Sequence, residues 1–358
     1  MYQNRSIEIW TYRYHKYLDI FLSIYYWFLT SCQISLSKLL NPQRLHIAIL
    51  LAEHFGDIVA CEPLSRDLKK NFPNAKVYWI VKRSYRELLD FNPHVDVIIE
   101  EYSVLFSMLL IRKCPFDKFH NCHLSGLRRY NYLRKSLQNP LAISLGILTN
   151  NYFNHGNILE VFAKVGGLPV INVSPKIYIP HSVKISIKNL NLPPKKIVVH
   201  CHSNYSPKDW QVYYWERLVI DLLDSFNYAI IEIGLESTLK VHHSGYYNLC
   251  GKLSLLETAE IIADADYFIG IDSGPAHFAN AVNTFGFLLF GKLGDFENYM
   301  PYSGKYETKM NVEFIIKEGE PCSKLEYNEV WDVIFNNINK IKLVDLTSEY
   351  SNEVRLEC

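Results

Sequence analysis

The chain has 358 residues, 49% of them hydrophobic, and its 37 Lys plus Arg balance 37 Asp plus Glu. Single cores usually stop growing at roughly 250–300 residues, so two domains are expected. Charge balance without a long run of one sign excludes a general nucleic-acid binder, and an anionic partner has to be met locally.

The eight cysteines (Cys32, Cys61, Cys114, Cys122, Cys201, Cys250, Cys322 and Cys358) contain no CxxC pair and are too sparse for a disulfide framework. Reduced thiols in a cytoplasmic protein are expected. His200-Cys201-His202 would alternate faces on a strand, and no second ligand pair follows at zinc-site spacing, so no metal site is expected.

Residues 1–44 stand apart. "YRYHKYLDIFLSIYYWFLTSCQISL" is aromatic, opens with Arg13 and Lys16, and is interrupted by Asp19, Ser23, Thr30 and Gln33. A spanning helix needs ~20 mostly apolar residues. The longest clean run here is Ile24–Leu29, which fits a helix in a membrane interface or docked on the protein's own body better. Leu29-Thr30-Ser31-Cys32 has the look of a lipoprotein cleavage site, but Asp19 inside the apolar region argues against it.

From Leu45 the pattern becomes regular. "LHIAILLA" is a strand, "IVACEPLSRDLKKNF" a helix, "AKVYWIV" a strand, "SYRELLDFN" a helix ending before Pro93, and "VDVIIE" a strand. That alternation predicts a parallel sheet covered on both faces. Helices are expected around Leu124–Gln138 and Asn157–Val165, and a linker over 181–195, where prolines and lysines gather. The same order then restarts: strand "KIVVHC", helix "DWQVYYWERLVIDLLDSF", strand "YAIIEIG", helix "LLETAEIIADA", strand "DYFIGID", helix "PAHFANAVN", strand "TFGFLLFG". The expected architecture is α/β, with two Rossmann-like doubly wound domains facing a central cleft: 45–180 on the acceptor side, 196–341 for a nucleotide ligand, and a tail over 342–358.

Ligands of open parallel sheets bind beyond the carboxyl ends of strands. In "GIDSGPAH", Asp272 ends a strand, Ser273 can cap the next helix, Gly274 allows close approach, and Pro275 suits the first helical position. The helix start would attract a phosphate or diphosphate, with His277 on its first turn. An ordinary capped junction is the plain alternative, weakened by Asp272, which an anion repels unless it binds hydroxyls or backbone N–H groups. In "LLAEHFGD", Gly56 and Asp57 follow the first strand, and Asp57 suits either a base or simple N-capping. In "HCHSNYSPKDW", Ser203 and Asn204 offer hydroxyl and amide, and Lys208 a mobile ammonium suited to a diphosphate. In "EIGLES", Glu236 can take a ribose or base hydrogen bond, or merely cap the next segment.

With these loops in hand the chain resembles glycosyltransferase family nine, the lipopolysaccharide heptosyltransferases, from about Leu45 to Ile341. "ILLAEHFGDIVACEPLSRDLKKNFPNAKVYWIV" and "YNLCGKLSLLETAEIIADADYFIGIDSGPAHFANAV" carry the likeness in the right order. The resemblance implies a GT-B fold and inverting, metal-independent transfer without a cofactor. A nucleotide-sugar, ADP-heptose foremost, would be the donor, and a lipid-linked or core oligosaccharide the acceptor. It places Asp57 as catalytic base, Lys208 on the departing diphosphate, and Gly56, Ser203, Asn204, Glu236, Asp272, Ser273, Gly274 and His277 around the substrates. A cytoplasmic enzyme is expected, peripheral on the inner face of the membrane if the leader lies in the interface and not on the protein's own body. The chain departs from the family in its aromatic leader and in "FGKLGDFENYMPYSG", which lacks the usual Gly-Pro and leaves another nucleotide-sugar open. A nucleotide-sugar epimerase or hydrolase of the same fold, and a non-catalytic membrane-associated binding subunit, are the alternatives.

Overall fold

The computed structural model describes residues 2–296 and 299–340, with side chains from Trp10 onward; the expected tail over 342–358 lies outside the described residues. The chain divides into two compact units, Met1–Ser182 with Tyr299–Thr308, and Val183–Asn298 with Lys309–Cys358.

The first unit opens with α1 (Tyr2–Leu40), 39 residues long. Its strands are β1 (His46–Leu50), β2 (Lys76–Lys82), β3 (Val97–Glu101) and β4 (Lys118–Asn121), all parallel, in the order β3-β2-β1-β4. The run read as one helix from Ile58 to Phe72 is two, α2 (Phe55–Ala60) and α3 (Glu62–Asn71), with the break at Cys61. Pro63 sits in the first turn of α3, where its missing N–H costs nothing. "SYRELLDFN" forms only a 3-10 helix, Arg83–Leu88. After β3 comes α4 (Val104–Arg112), capped by the Ser103 hydroxyl. The helix expected over Leu124–Gln138 is absent; the stretch holds an antiparallel hairpin, β5 (Arg129–Tyr130) and β6 (Lys135–Ser136). The unit continues through α5 (Pro140–Ser144) and α6 (Ile158–Gly166), the latter over the span read as helix from sequence.

The stretch expected as a linker opens as a helix, α7 (His181–Lys188), and the division between the units falls within it. Ile187 is buried and the Ser186 hydroxyl donates to Glu257, so this stretch is anchored. The second unit then runs β7 (Lys196–His200), α8 (Val212–Ser225), β8 (Ala229–Glu232), β9 (Tyr246–Asn248), α9 (Leu255–Ala263), β10 (Tyr267–Ile271), α10 (Gly274–Val282), β11 (Phe285–Phe290) and β12 (Val312–Ile316). A last helix covers 327–340. The six strands are parallel and lie in the order β12-β11-β10-β7-β8-β9. Taken in chain order within the unit, this is the doubly wound arrangement 3-2-1-4-5-6. Sequence reading missed β9 and β12, which are short and carry polar residues, and the final helix, whose Val330, Ile334 and Ile338 enter the core at helical spacing.

Three aspartates set the amino-terminal edges of these sheets in one way. Asp96, Asp117 and Asp266 each stand just before a strand and accept from a backbone N–H of the neighbouring strand, at Val77 (2.7 Å), His46 (2.8 Å) and Lys196 (2.9 Å). The end-strand donors are thereby satisfied and the register is held.

Gly291 closes β11 against the backbone of 321–322: a Cβ there would stand 2.1 Å from the Cys322 nitrogen and 2.4 Å from the Pro321 carbonyl carbon. Gly291→Ala should therefore cost about 1–3 kcal/mol, read as a lowered unfolding midpoint. Gly294→Ala, where the space is open and only φ +52 is adverse, should cost about 1 kcal/mol or less. Equal midpoints for the two variants would show that the packing at 291 is not as tight as described.

Candidate functional site

The second sheet changes direction between β7 and β10, the two adjacent strands whose crossovers run to opposite sides. In such sheets the crevice opens beyond the carboxyl ends of these strands. The loop after β7 carries Ser203, Asn204 and Lys208; the turn after β10 carries Asp272, Ser273 and Gly274. Lys208 Nζ and Asp272 Oδ2 form an ion pair at 2.5 Å, with Asp272 almost wholly buried and Lys208 partly exposed. A buried carboxylate requires such a partner, and the ammonium keeps one side toward solvent.

Asp209 organises the β7 loop and was missed from sequence. Its Oδ1 accepts from the Ser203 backbone (2.8 Å) and hydroxyl (2.7 Å), and its Oδ2 lies 2.8 Å from His202 Nδ1. The neighbouring Trp210 is buried and donates to the Leu325 carbonyl, which fixes the loop's far end in the core. Asn204 is exposed. His200 and His202 do diverge: His200 is buried with Nδ1 3.0 Å from Ser273 Oγ, while His202 turns outward to Asp209.

Ser273 is the N-cap residue of α10, but its side chain does not cap the helix as expected. Its hydroxyl instead reaches the Ile271 carbonyl (3.1 Å) and His200. His277 lies buried on the first turn. Burial drives its pKa down to about 4, with Asp272 opposing and Lys208 adding to the shift; burial likewise lowers His200 to about 4. Both rings are neutral at pH 7, so at this crevice they act as hydrogen-bonding groups and not as cations.

Glu236 does not join this group; it is exposed on its loop. The buried acid nearby is Glu232, at the end of β8, which accepts from Ser237 (2.5 Å) and Tyr246.

In the first unit the corresponding reversal lies between β1 and β4. Gly56 is buried in α2 and Asp57 is half-buried at its third position. The N-cap is His54, and Asp57 Oδ2 accepts from the His54 backbone N–H at 3.1 Å, so the carboxylate completes the first turn from inside and is not the N-cap itself. Sequence reading missed what lies beside it. Glu53, just past β1, and His123, just past β4, are both buried and meet at 2.6 Å. The Ala52 N–H donates to His123 Nε2 (3.2 Å), which leaves the ring proton on Nδ1, donated to Glu53. Burial resists ionisation of Glu53, but the His123 hydrogen bond and the cations Arg128 and Lys82 prevail and hold its carboxyl below the usual value. Arg128 is held by Glu101 through two contacts, 2.6 and 2.5 Å. Burial, then the Arg128 guanidinium, lowers the pKa of Lys82, against the pull of Glu53, Glu101 and Asp57. The signal available in the sequence was position: Glu53 follows an unbroken apolar strand. His123 had none, because β4 is a polar edge strand that no hydrophobic pattern marks.

Two parallel sheets, each with a crevice at its strand reversal, give the chain a fold of the GT-B type. Residues 157–313 match the sequence model of glycosyltransferase family 9 (heptosyltransferase). The chain is 24% identical over 277 residues to lipopolysaccharide heptosyltransferase 3 of Escherichia coli, covering 66% of this chain and 80% of the relative. The solved structure of the E. coli ADP-heptose lps heptosyltransferase II matches with a TM-score of 0.62 and 16% identity, over 83% of this chain and 100% of that one. E. coli heptosyltransferase WaaC with ADP-2-deoxy-2-fluoro heptose matches at 0.52 and 17%, over 82% and 100%. At those identities the two structures speak for the fold. Over residues 157–313 the chain is thus similar to glycosyltransferase family 9, and over most of its length to the lipopolysaccharide heptosyltransferases.

The two neutral histidines make stability depend on acid. Each has a folded pKa below its unfolded value of 6.5, so the unfolded chain binds more protons and stability is full above pH 6.5 and falls toward pH 4. The slope is up to about 1.4 kcal/mol per pH unit for each ring. Unfolding midpoints of the wild type and of His200→Asn/His277→Gln, measured from pH 7.5 to 4.5, should diverge at high pH and converge at low pH. Parallel curves would mean that neither ring stays neutral in the fold.

Proposed function

We propose that this chain transfers heptose from ADP-heptose to a sugar hydroxyl of a lipopolysaccharide-core or related acceptor, with inversion at the anomeric carbon and without a metal or other cofactor. The observation that carries the reading is the Lys208–Asp272 ion pair at the strand reversal of the second unit, beside the start of α10. Lys208 offers a mobile cation to a diphosphate, and the helix start adds the partial positive charge of its N–H groups. Asp272, paired with Lys208, accepts from sugar hydroxyls or backbone donors. Two of the matched structures support the donor: one is an ADP-heptose heptosyltransferase, and the other was solved with ADP-2-deoxy-2-fluoro heptose.

Asp57 is the base of the reaction. The acceptor hydroxyl oxygen attacks the anomeric carbon as its proton passes to Asp57, and the bond from that carbon to the nucleotide oxygen breaks, with the electron pair leaving on ADP. Lys208 stabilises the charge that gathers on the departing diphosphate. A lipid-linked acceptor and a cytoplasmic, membrane-peripheral enzyme are part of the same reading.

Two variants test it. Asp57→Ala should lower kcat by ~10²–10⁴-fold while ADP-heptose still raises the unfolding midpoint as in the wild type. Lys208→Ala should weaken that donor-induced stabilisation and also slow transfer by ~10²-fold or more. Unimpaired transfer by Asp57→Ala would remove the base from the scheme. Free heptose released from donor alone, at a rate no acceptor increases, would make the enzyme a hydrolase.

A further inference from the structure

Helix α1 has two unlike faces. Asp19, Ser23, Trp27, Ile34 and Lys38 recur at spacings of four and seven, which at 100° per residue puts them on one side. This side is fastened to the rest of the first unit from Asp19 to Lys38. Tyr130 donates to Asp19, Ser23 and Ser103 share a 2.7 Å hydrogen bond, Lys38 pairs with Asp117 at 2.6 Å, and Lys76 donates to Ser37 at 3.1 Å. Ile34 is 2% exposed, in one core with Leu50, Ile80, Phe106 and Phe116. By length and composition, Trp10–Leu40 could cross a membrane. Were it to span, the polar contacts of its inner side would be lost to hydrocarbon, so this bonding argues for a helix lying on a surface.

The opposite side carries Trp10, Tyr14, Tyr17, Phe21, Phe28 and Leu39, all between 56% and 78% exposed. A continuous apolar stripe of this length is far more than scattered surface hydrophobics. The surroundings of the helix are basic. Arg13 flanks the stripe, and the β5–β6 hairpin, packed against the body-facing side of the helix through Tyr12 and Tyr132 with ring centroids 5.6 Å apart, presents Arg129, Arg134 and Lys135 to solvent. None of these four side chains enters an ion pair among the described residues. No Asp or Glu occurs between residues 118 and 150, and Asp19, the one acid from residue 10 to 40, is already bound by Tyr130. In a chain of zero net charge this local excess selects an anionic partner.

We propose that the outer face of α1, with the β5–β6 hairpin beside it, is the surface by which the protein lies on an anionic lipid membrane. With the helix parallel to the bilayer plane its aromatic and leucine side chains enter the interfacial layer, and Arg13 with the three hairpin cations draws the protein to the anionic surface. The inference rests on the membrane-peripheral part of the reading above and not on the sugar transferred, because it uses none of the residues assigned to donor or base.

The full chain should co-sediment with phosphatidylcholine vesicles containing about 30 mol% phosphatidylglycerol, which supply an anionic surface, and at least about tenfold less with phosphatidylcholine alone or in high salt. Phe21→Ser/Tyr25→Ser/Phe28→Ser should lose about tenfold or more in partition with its unfolding midpoint unchanged, since these positions are exposed. Should that variant misfold, Arg129→Ser/Arg134→Ser/Lys135→Ser reads the electrostatic half separately and should abolish the preference for anionic vesicles. Wild-type protein remaining in the supernatant with both vesicle types would overturn the proposal. So would a lipid-free dimer that the aromatic variant dissolves, which makes the face a self-interface, or retention in membranes after alkaline wash, which makes α1 a spanning segment.

Discussion

The reversal of strand order beside the first strand of each sheet is the constraint on which the rest depends. Crossovers between parallel strands are right-handed, so a chain that winds first to one side and then to the other leaves two adjacent loops diverging from the carboxyl ends of neighbouring strands. In the second unit those loops bring Lys208 to Asp272; in the first they bring Glu53 to His123. Neither pair is near in sequence, and neither could form if the strands were ordered consecutively.

Burial then decides the chemistry at each reversal. Taking a carboxylate out of water is tolerable only with a partner, and each buried acid at the strand ends has one: Asp272 with Lys208, Glu53 with His123, Glu101 with Arg128, Glu232 with Ser237 and Tyr246. The same cost keeps His200 and His277 neutral. Among the described residues the second crevice thus sets the Lys208 ammonium against a buried carboxylate and the neutral rings of His200 and His277. Its chemistry suits a ligand that is anionic at one end and rich in hydroxyls at the other.

Where sequence reading departed from the structure, each case has a physical reason. Leu124–Gln138 has apolar residues at intervals a helix would use, but Gly126 at φ +81 and Arg134 at φ +53 turn the backbone where a helix would continue. The 181–195 stretch has linker composition, yet its Ile187 finds a core and its Ser186 a carboxylate, so it folds onto the second unit's side chains. Ser273 has the residue type of a cap and the position of one, but a buried imidazole competes for its hydroxyl. Asp209 was passed over because only the folded loop shows that one carboxylate holds both Ser203 and His202.

The sequence by itself determined the alternation of apolar strands and amphipathic helices, and hence the parallel sheets. It also put Asp57, Lys208 and Asp272 at strand ends, because period and position are local properties of the chain. Tertiary structure alone decided which strand ends are neighbours, which acids are buried, and which side of α1 is turned to the body. Those depend on strand order and on packing between residues as far apart as Asp19 and Tyr130, and no local pattern encodes such pairings.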